Sequence, residues 1–333
     1  MDKLAIIGLG LIGTSIGLAL KKAGVNVEII GHDKHADPSS KSYKMGAVDK
    51  TEWNLIRTVE DAGMVILAAP VQAIGELMQQ IAPALQPGCV VTDTGSTKGN
   101  VLKWAEEYLP QNVSFVGGHP MAGKESSGPS GATPDLFQES PYCILPGKNS
   151  TTEAVESIVA MAEIMGAKPY FLDSVEHDSY VGAVSHLPMI LSTVLVNITS
   201  SSPSWPEIAS LASTGYRDVT RLASQDPEMN RDICLTNPEG LVYWVDEFIK
   251  ELYKLRGNIK ESDDSLFQTF DNAWEARDRW VQKKVTAPNS NPIPRTPSTA
   301  ETVGGMFLGD RAAGKLSEMF EWYEDRGKRK RSS

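Results

Sequence analysis

The sequence predicts an α/β domain with a mostly parallel sheet, followed by an all-helical C-terminal domain. Three observations carry this. A glycine-rich turn, Gly8-Leu9-Gly10-Leu11-Ile12-Gly13, lies between a β-branched apolar run and an amphipathic segment. Strand-like and helix-like segments then alternate to about residue 172. From Asp173 onward the strand signals stop and only helical periodicity remains. A chain of 333 residues is too long for one ordinary core. The pattern divides it into 1–172, a helical 173–283, and a Pro/Ser-rich linker with a basic tail over 284–333.

Taken in order, Leu4–Ile7 reads as the first strand. Ile12, Ile16, Leu20 and Ala23 then recur at helical spacing, and Gly24 stops the helix. Glu28–Ile30 is the next strand and ends at Gly31-His32-Asp33. In that setting the glycines form a dinucleotide fingerprint of Rossmann type. Gly8 permits the tight turn, Gly10 lets a pyrophosphate approach the backbone, and Gly13 lets helix and strand pack closely. Leu11 and Ile12 open the helix, whose N–H groups face the phosphates. Asp33 stands where a carboxylate accepts bonds from the ribose hydroxyls and repels a 2′-phosphate, which favours NAD over NADP. Met64–Ala69 is an apolar strand ending at Pro70, so Ala69 and Pro70 fall on the same cofactor edge.

Val71–Leu85 reads as a helix. Two apolar strands, Cys89–Thr92 and Val113–Gly117, then each end in a polar loop. The first loop carries Ser96, Thr97 and Lys98; the second carries His119, Lys124, Glu125 and Ser126. Ligands bind beyond the carboxyl ends of parallel strands, so both loops project toward one crevice. His119, between Gly118 and Pro120, is the candidate base, because imidazole takes a proton near neutral pH. Tyr142–Leu145 and Lys168–Leu172 complete the strands, with a helix over Glu153–Met165.

The helical half reads as Val175–Ser200, bent or interrupted at Pro188, then Ile208–Leu222, Glu239–Leu255 and Ser265–Gln282. Two polar stretches stand out. Asp173–His186 holds His177, Asp178, Ser185 and His186, with the two histidines read as hydrogen-bonding structural residues. Gly215–Ala223 holds Arg217, Asp218 and Arg221. Two guanidinium forks four residues apart suit an acidic substrate. Helical domains of this kind supply half of a cleft and a surface for self-association, so a homodimer is expected.

Composition excludes several classes. The net charge of −10 and pI near 5.1 argue against nucleic acid as a partner. Three scattered cysteines, Cys89, Cys143 and Cys234, form neither a disulfide framework nor a zinc motif, which fits a reducing cytoplasm. No leader is evident, and the longest apolar stretch, Leu187–Ile198, is too short to span a membrane. No spacing of His, Asp or Glu matches a metal site.

Six pieces together resemble the prephenate and arogenate dehydrogenase family: GLGLIGTSIG at 8–17, DTGSTKG at 93–99, GGHPMAGKESSG at 117–128, EHD at 176–178, SHLP at 185–188 and GYRDVTRLA at 215–223. They occur in family order. The resemblance implies NAD-dependent oxidative decarboxylation of a cyclohexadienol carboxylate in tyrosine biosynthesis. By that likeness His119 is the base on the substrate hydroxyl, and Ser96 bonds His119. Arg221 binds a carboxylate, while Asp218 and Glu125 orient the arginines. Lys124, Met189 and Asn230 stand where many members carry Thr, His and Trp, so prephenate and arogenate both remain as substrates. Two other readings fit the residues alone: a hydroxyacid dehydrogenase relying on Lys98 or Lys124, and a non-catalytic sensor of NAD or a carboxylate.

Overall fold

The computed structural model describes residues 3–124 and 128–285. Packing divides the chain into two compact units, Met1–Leu241 and Val242–Ser333. The first unit is built on one sheet. Its strands are β1 (Lys3–Ile7), β2 (Glu28–His32), β3 (Lys50–Thr51), β4 (Met64–Leu67), β5 (Val90–Asp93), β6 (Ser114–Pro120), β7 (Pro141–Pro146) and β8 (Lys168–Phe171). Their order is β3-β2-β1-β4-β5-β6-β7-β8, and all neighbours are parallel except β6 with β7. The strand order reverses between β1 and β4, which is where doubly wound sheets open their ligand crevice.

The helices of this sheet are α1 (Leu11–Lys22), α2 (Ala36–Lys44), α3 (Leu55–Val59), α4 (Val71–Ile81), α5 (Gly99–Tyr108) and α6 (Thr152–Ile164). β1 and β4 are almost uninterrupted apolar runs, and all of β5 is buried, because both sheet faces are covered. Val65, Leu67 and Val91 pack with Ile74 and Met78 of α4 and Val101 of α5, all buried. Each such side chain contributes roughly 1.5–3 kcal/mol by leaving water. Helices α2 and α3 and the two-residue β3 carry too little periodicity to be anticipated. Asn54 nevertheless starts α3 by accepting the Ile56 and Arg57 N–H groups.

The chain continues through α7 (Ser174–Val181), a π turn over Gly182–His186, and α8 (Leu187–Ser200). The expected break at Pro188 is absent. Proline has no N–H to give and crowds the carbonyl of residue 184, and the wider π turn just before it absorbs both demands. The result is one run of 27 residues, Ser174–Ser200, long and apolar enough to cross a membrane by length and composition, with 28% of its most apolar window buried. That is longer than the Leu187–Ile198 stretch suggested.

The single helix expected over 208–222 is instead α9 (Trp205–Ser210), α10 (Thr214–Thr220) and a 3-10 turn over Arg221–Ser224. α11 (Pro227–Thr236) was not foreseen, although Asp226 caps it through the Met229 N–H and Pro227 occupies its first position. α12 (Pro238–Glu261) and α13 (Ser265–Val281) follow. α7 to α11 pack as part of the sheet unit, whose packing runs to Leu241. The 286–333 part of the linker and tail lies outside the described residues.

Candidate active site

At the carboxyl end of β1 the glycine turn has the geometry its sequence demands. Gly8 has φ +95°, and a Cβ there would lie 2.3 Å from the Ala68 carbonyl oxygen. A Cβ on Gly13 would lie 2.0 Å from the Gly8 oxygen, so helix and turn touch backbone to backbone. At Gly10 a Cβ would meet nothing within 4 Å. The first turn of α1, with Leu11 and Ile12 half-buried, has no side-chain cap and opens onto that space. Uncapped N–H groups facing open ground make a phosphate cradle. Asp33 is aimed by its own neighbours: Leu9 N–H donates to Oδ2 at 2.8 Å and His35 N–H to Oδ1 at 2.9 Å. Ala69 and Pro70 follow β4 beside the turn, half-buried and exposed respectively. These residues fit a dinucleotide.

The second assembly lies further along the sheet. His119 does not sit in a loop, as its flanking glycine and proline suggest; β6 extends to Pro120 because β7 pairs with it antiparallel, placing His119 opposite Cys143. The ring is 8% exposed. Its Nδ1 lies 2.9 Å from Nε2 of His177, and His177 Nδ1 lies 2.8 Å from Asp178 Oδ1. Asp178 also accepts the N–H groups of Lys98 and Gly99, both at 2.8 Å, at the start of α5. The partner of His119 Nδ1 is therefore His177, in place of the Ser96 hydroxyl that the resemblance implies.

Tautomers follow from the chain of partners. Burial works to raise the Asp178 pKa, but the His177 hydrogen bond and the two backbone N–H groups outweigh it and hold the carboxyl below its ordinary range. An ionised carboxylate only accepts, so His177 carries its proton on Nδ1. His177 Nε2 then accepts the Nδ1–H of His119, which leaves the lone pair of His119 on Nε2. Burial, then the charges of His177, Lys98 and His186, push the His119 pKa well below the ordinary imidazole value. His119 is thus a neutral, oriented acceptor at neutral pH.

A third histidine completes the cluster. His186 is 1% exposed, and Asn237 Nδ2 approaches its Nδ1 at 3.4 Å while donating to the Asp178 carbonyl at 2.7 Å. Burial pushes its pKa down to about 4, against the opposing pull of the Asp178 charge and the Ser96 backbone. The loop carrying Ser96 is fixed on both sides, before it by Gly95 N–H to Asp93 and after it by Thr97 Oγ1 to Thr236 Oγ1 at 2.8 Å and Lys98 N–H to Asp178. Sequence reasoning reads His177 only as a structural hydrogen-bonding residue, gives Asp178 no role of its own, and misses Thr236 and Asn237. The one available signal was a histidine abutting a carboxylate in Glu176-His177-Asp178.

The remaining expected residues are placed differently. Arg217, Asp218 and Arg221 are exposed, on a segment tied to α8 by the Ser192 hydroxyl donating to the Val219 carbonyl at 2.6 Å. Lys124 is exposed and donates to the Gly131 carbonyl at 2.9 Å, within its own loop. Ser185 is half-buried in the π turn, and Glu125 lies outside the described residues. Lys98, the base a lysine-dependent dehydrogenase would need, is fully buried in an ion pair with Asp93.

Two family models match in tandem: "Prephenate dehydrogenase, nucleotide-binding domain" over residues 16–171, and "Prephenate dehydrogenase, dimerization domain" over 173–272. The chain belongs to the prephenate dehydrogenase family. Among its relatives, the prephenate dehydrogenase of Bacillus subtilis is 36% identical over 280 residues, 83% of this chain and 76% of that protein. The cyclohexadienyl dehydrogenase of Zymomonas mobilis is 32% identical over 82% of this chain and 94% of its own. The solved prephenate dehydrogenase of A. aeolicus, in complex with hydroxyphenyl propionate and NAD+, superposes with a TM-score of 0.77 at 28% identity, covering 84% of this chain and 98% of that one. Arogenate dehydrogenase from Synechocystis gives 0.70 at 27% identity, over 84% and 99%.

Proposed function

We propose that this chain is an NAD-dependent prephenate or arogenate dehydrogenase in which His119 is the base. The observation that carries the reading is the Asp178–His177–His119 chain, which ends in a lone pair on a buried imidazole at the crevice edge of the sheet. The A. aeolicus relative binds NAD+ and a hydroxyphenyl acid, and the cradle at Gly8, Gly10, Leu11, Ile12 and Gly13 suits the same cofactor. Asp33 would take the ribose hydroxyls, with Ala69 and Pro70 alongside. NAD, when bound, supplies the acceptor for the hydride on the carbinol carbon.

His119 Nε2 takes the hydroxyl proton as that C–H bond breaks, and the alcohol becomes a ketone. The bond from ring to carboxylate then breaks, CO2 departs, and its electron pair makes the ring aromatic. Protonated His119 returns its proton to the new phenolate oxygen. Asp178 supports the step through His177 by stabilising the transient imidazolium and fixing its orientation, as a buried carboxylate does behind a catalytic histidine. Ser96, Ser185 and His186 are assigned to the substrate face of the same cluster. Arg221, with Arg217 and Asp218 near it, is assigned to a substrate carboxylate, and Lys124 and Glu125 to its side-chain end. Met189, buried and uncharged, leaves both the keto-acid and the amino-acid side chain admissible.

The relatives' dimerization domain, matched over 173–272, supports a homodimer. So do the apolar side chains exposed in the second unit, among them Phe248, Leu252, Phe267, Phe270 and Trp274. The outward Val184 and Ile198 of the long apolar run suit the same cover better than lipid, since His177, His186 and Ser192 on that run make buried polar contacts.

The deciding assay crosses prephenate and arogenate with NAD and NADP and follows the absorbance of the reduced cofactor. We expect NAD turnover with at least one substrate and a loss of about 10³-fold in kcat for His119→Asn, within the usual range for a lost general base. No reduction with either substrate would leave a binding protein, and full turnover by His119→Asn would move the base elsewhere.

A further inference from the structure

The pair Lys98–Asp93 has no part in the chemistry above, yet both side chains are completely buried. Burying two opposite charges stabilises a fold little compared with an apolar pair of similar shape, so their retention calls for another account. Their bonds supply one. Asp93 accepts the Gly95 N–H at 2.7 Å and, on its other oxygen, the Gly118 N–H at 3.2 Å. Gly118 immediately precedes His119, and a Cβ there would lie 2.6 Å from the Asp93 carbonyl oxygen. The Lys98 methylenes run beneath Gly117, within 3.4 Å of where its Cβ would be. The Lys98 backbone N–H, meanwhile, holds Asp178 at the far end of the histidine chain. One residue therefore touches both the strand that carries His119 and the carboxylate that orients it.

We propose that the buried Lys98–Asp93 pair is a positioning device for His119, holding the end of its strand, anchoring the Asp178 carboxylate behind its partner His177, and setting a buried cation beside that strand. The inference rests on His119 being the base. The titratable and charged groups around that ring are His177 from α7 with Asp178 behind it, His186 from the π turn, Lys98 and Asp93 from β5 and its loop, and Cys143 and Tyr142 from β7. Among these, Lys98 is the positive member of the buried ion pair. It opposes protonation of both His119 and His177. Asp93 works against that effect at His177.

The full-length protein has five histidines, so ring titrations by NMR are tractable, with His119→Asn assigning the signal. In Lys98→Met we expect the His119 ring to titrate about one pH unit higher, because removing a neighbouring cation favours imidazolium. The acid limb of kcat/KM should move up with it, and kcat should fall about tenfold while the NAD dissociation constant holds within about twofold. If Lys98→Met does not fold, the neutral double variant Asp93→Asn/Lys98→Met decides, with a smaller upward shift expected. An unmoved His119 titration in either folded variant overturns the proposal. So does failure of both variants to fold, which would assign the pair to folding alone. Full turnover by His119→Asn would instead remove the base assignment, a separate outcome.

Discussion

The two working ends of this sheet are built in opposite ways. The cradle at Gly8–Gly13 acts through backbone, needs space rather than side chains, and draws on residues within one strand–helix–strand unit. The histidine cluster acts through side chains and gathers residues from Asp93 to Asn237. The first tolerates much change in its neighbours provided the glycines remain. The second depends on each hydrogen bond in a chain, since one wrong tautomer at His177 leaves His119 Nε2 with an N–H instead of a lone pair. Perturbation should separate the two ends cleanly.

The largest separation is expected from Asp178→Asn. Loss of the carboxylate frees the His177 tautomer and removes charge from the start of α5. We expect kcat to fall about 10²-fold, with stability reduced by about 1 kcal/mol as for a lost cap. NAD affinity, measured by fluorescence quenching, should not change. A parallel loss of NAD affinity would show that the two ends are coupled.

A smaller effect in the opposite compartment is expected from Asp33→Asn. Leu9 and His35 already hold the carboxylate in place, so the substitution changes charge with little change in shape. The NAD-to-NADP preference should drop about tenfold, with the pH profile of turnover untouched. A displaced acid limb would contradict the independence of the two regions.

The mildest test reads stability. The His186 pKa falls from 6.5 to about 4 on burial, so between those values the unfolded chain binds the proton and the folded chain does not. Stability must therefore rise with pH across that window and be lost on acidification toward pH 4. His186→Gln should flatten the dependence of Tm on pH there. An equally steep slope in the variant would place the titration on another group.

Legibility in the sequence follows the same division. The fingerprint, Asp33 and the strands at Leu4, Met64 and Cys89 could be read because their signals are local: glycine at fixed offsets, apolar runs, turns. His119 could be read as a chemical type, but its place on a strand could not, because that depends on β7 returning antiparallel beside it. His177 looked like an ordinary helix residue until α7 packed against α5. The stretch from Ile208 to Leu222 reads as one helix and α11 does not register, because these segments are too short for periodicity to outweigh the turns between them.

The sequence alone thus determined that a parallel sheet with a dinucleotide turn precedes a helical region, and which side chains were chemically able to act. Backbone conformation and apolar periodicity are properties of neighbours, and neighbours are written in order. Only the tertiary structure decided which imidazole supports which, where the lone pair lies, and that a buried lysine lies against the strand carrying His119. Those outcomes depend on distances between residues more than fifty positions apart, such as His119 and His177, and a distance exists only after the chain has folded.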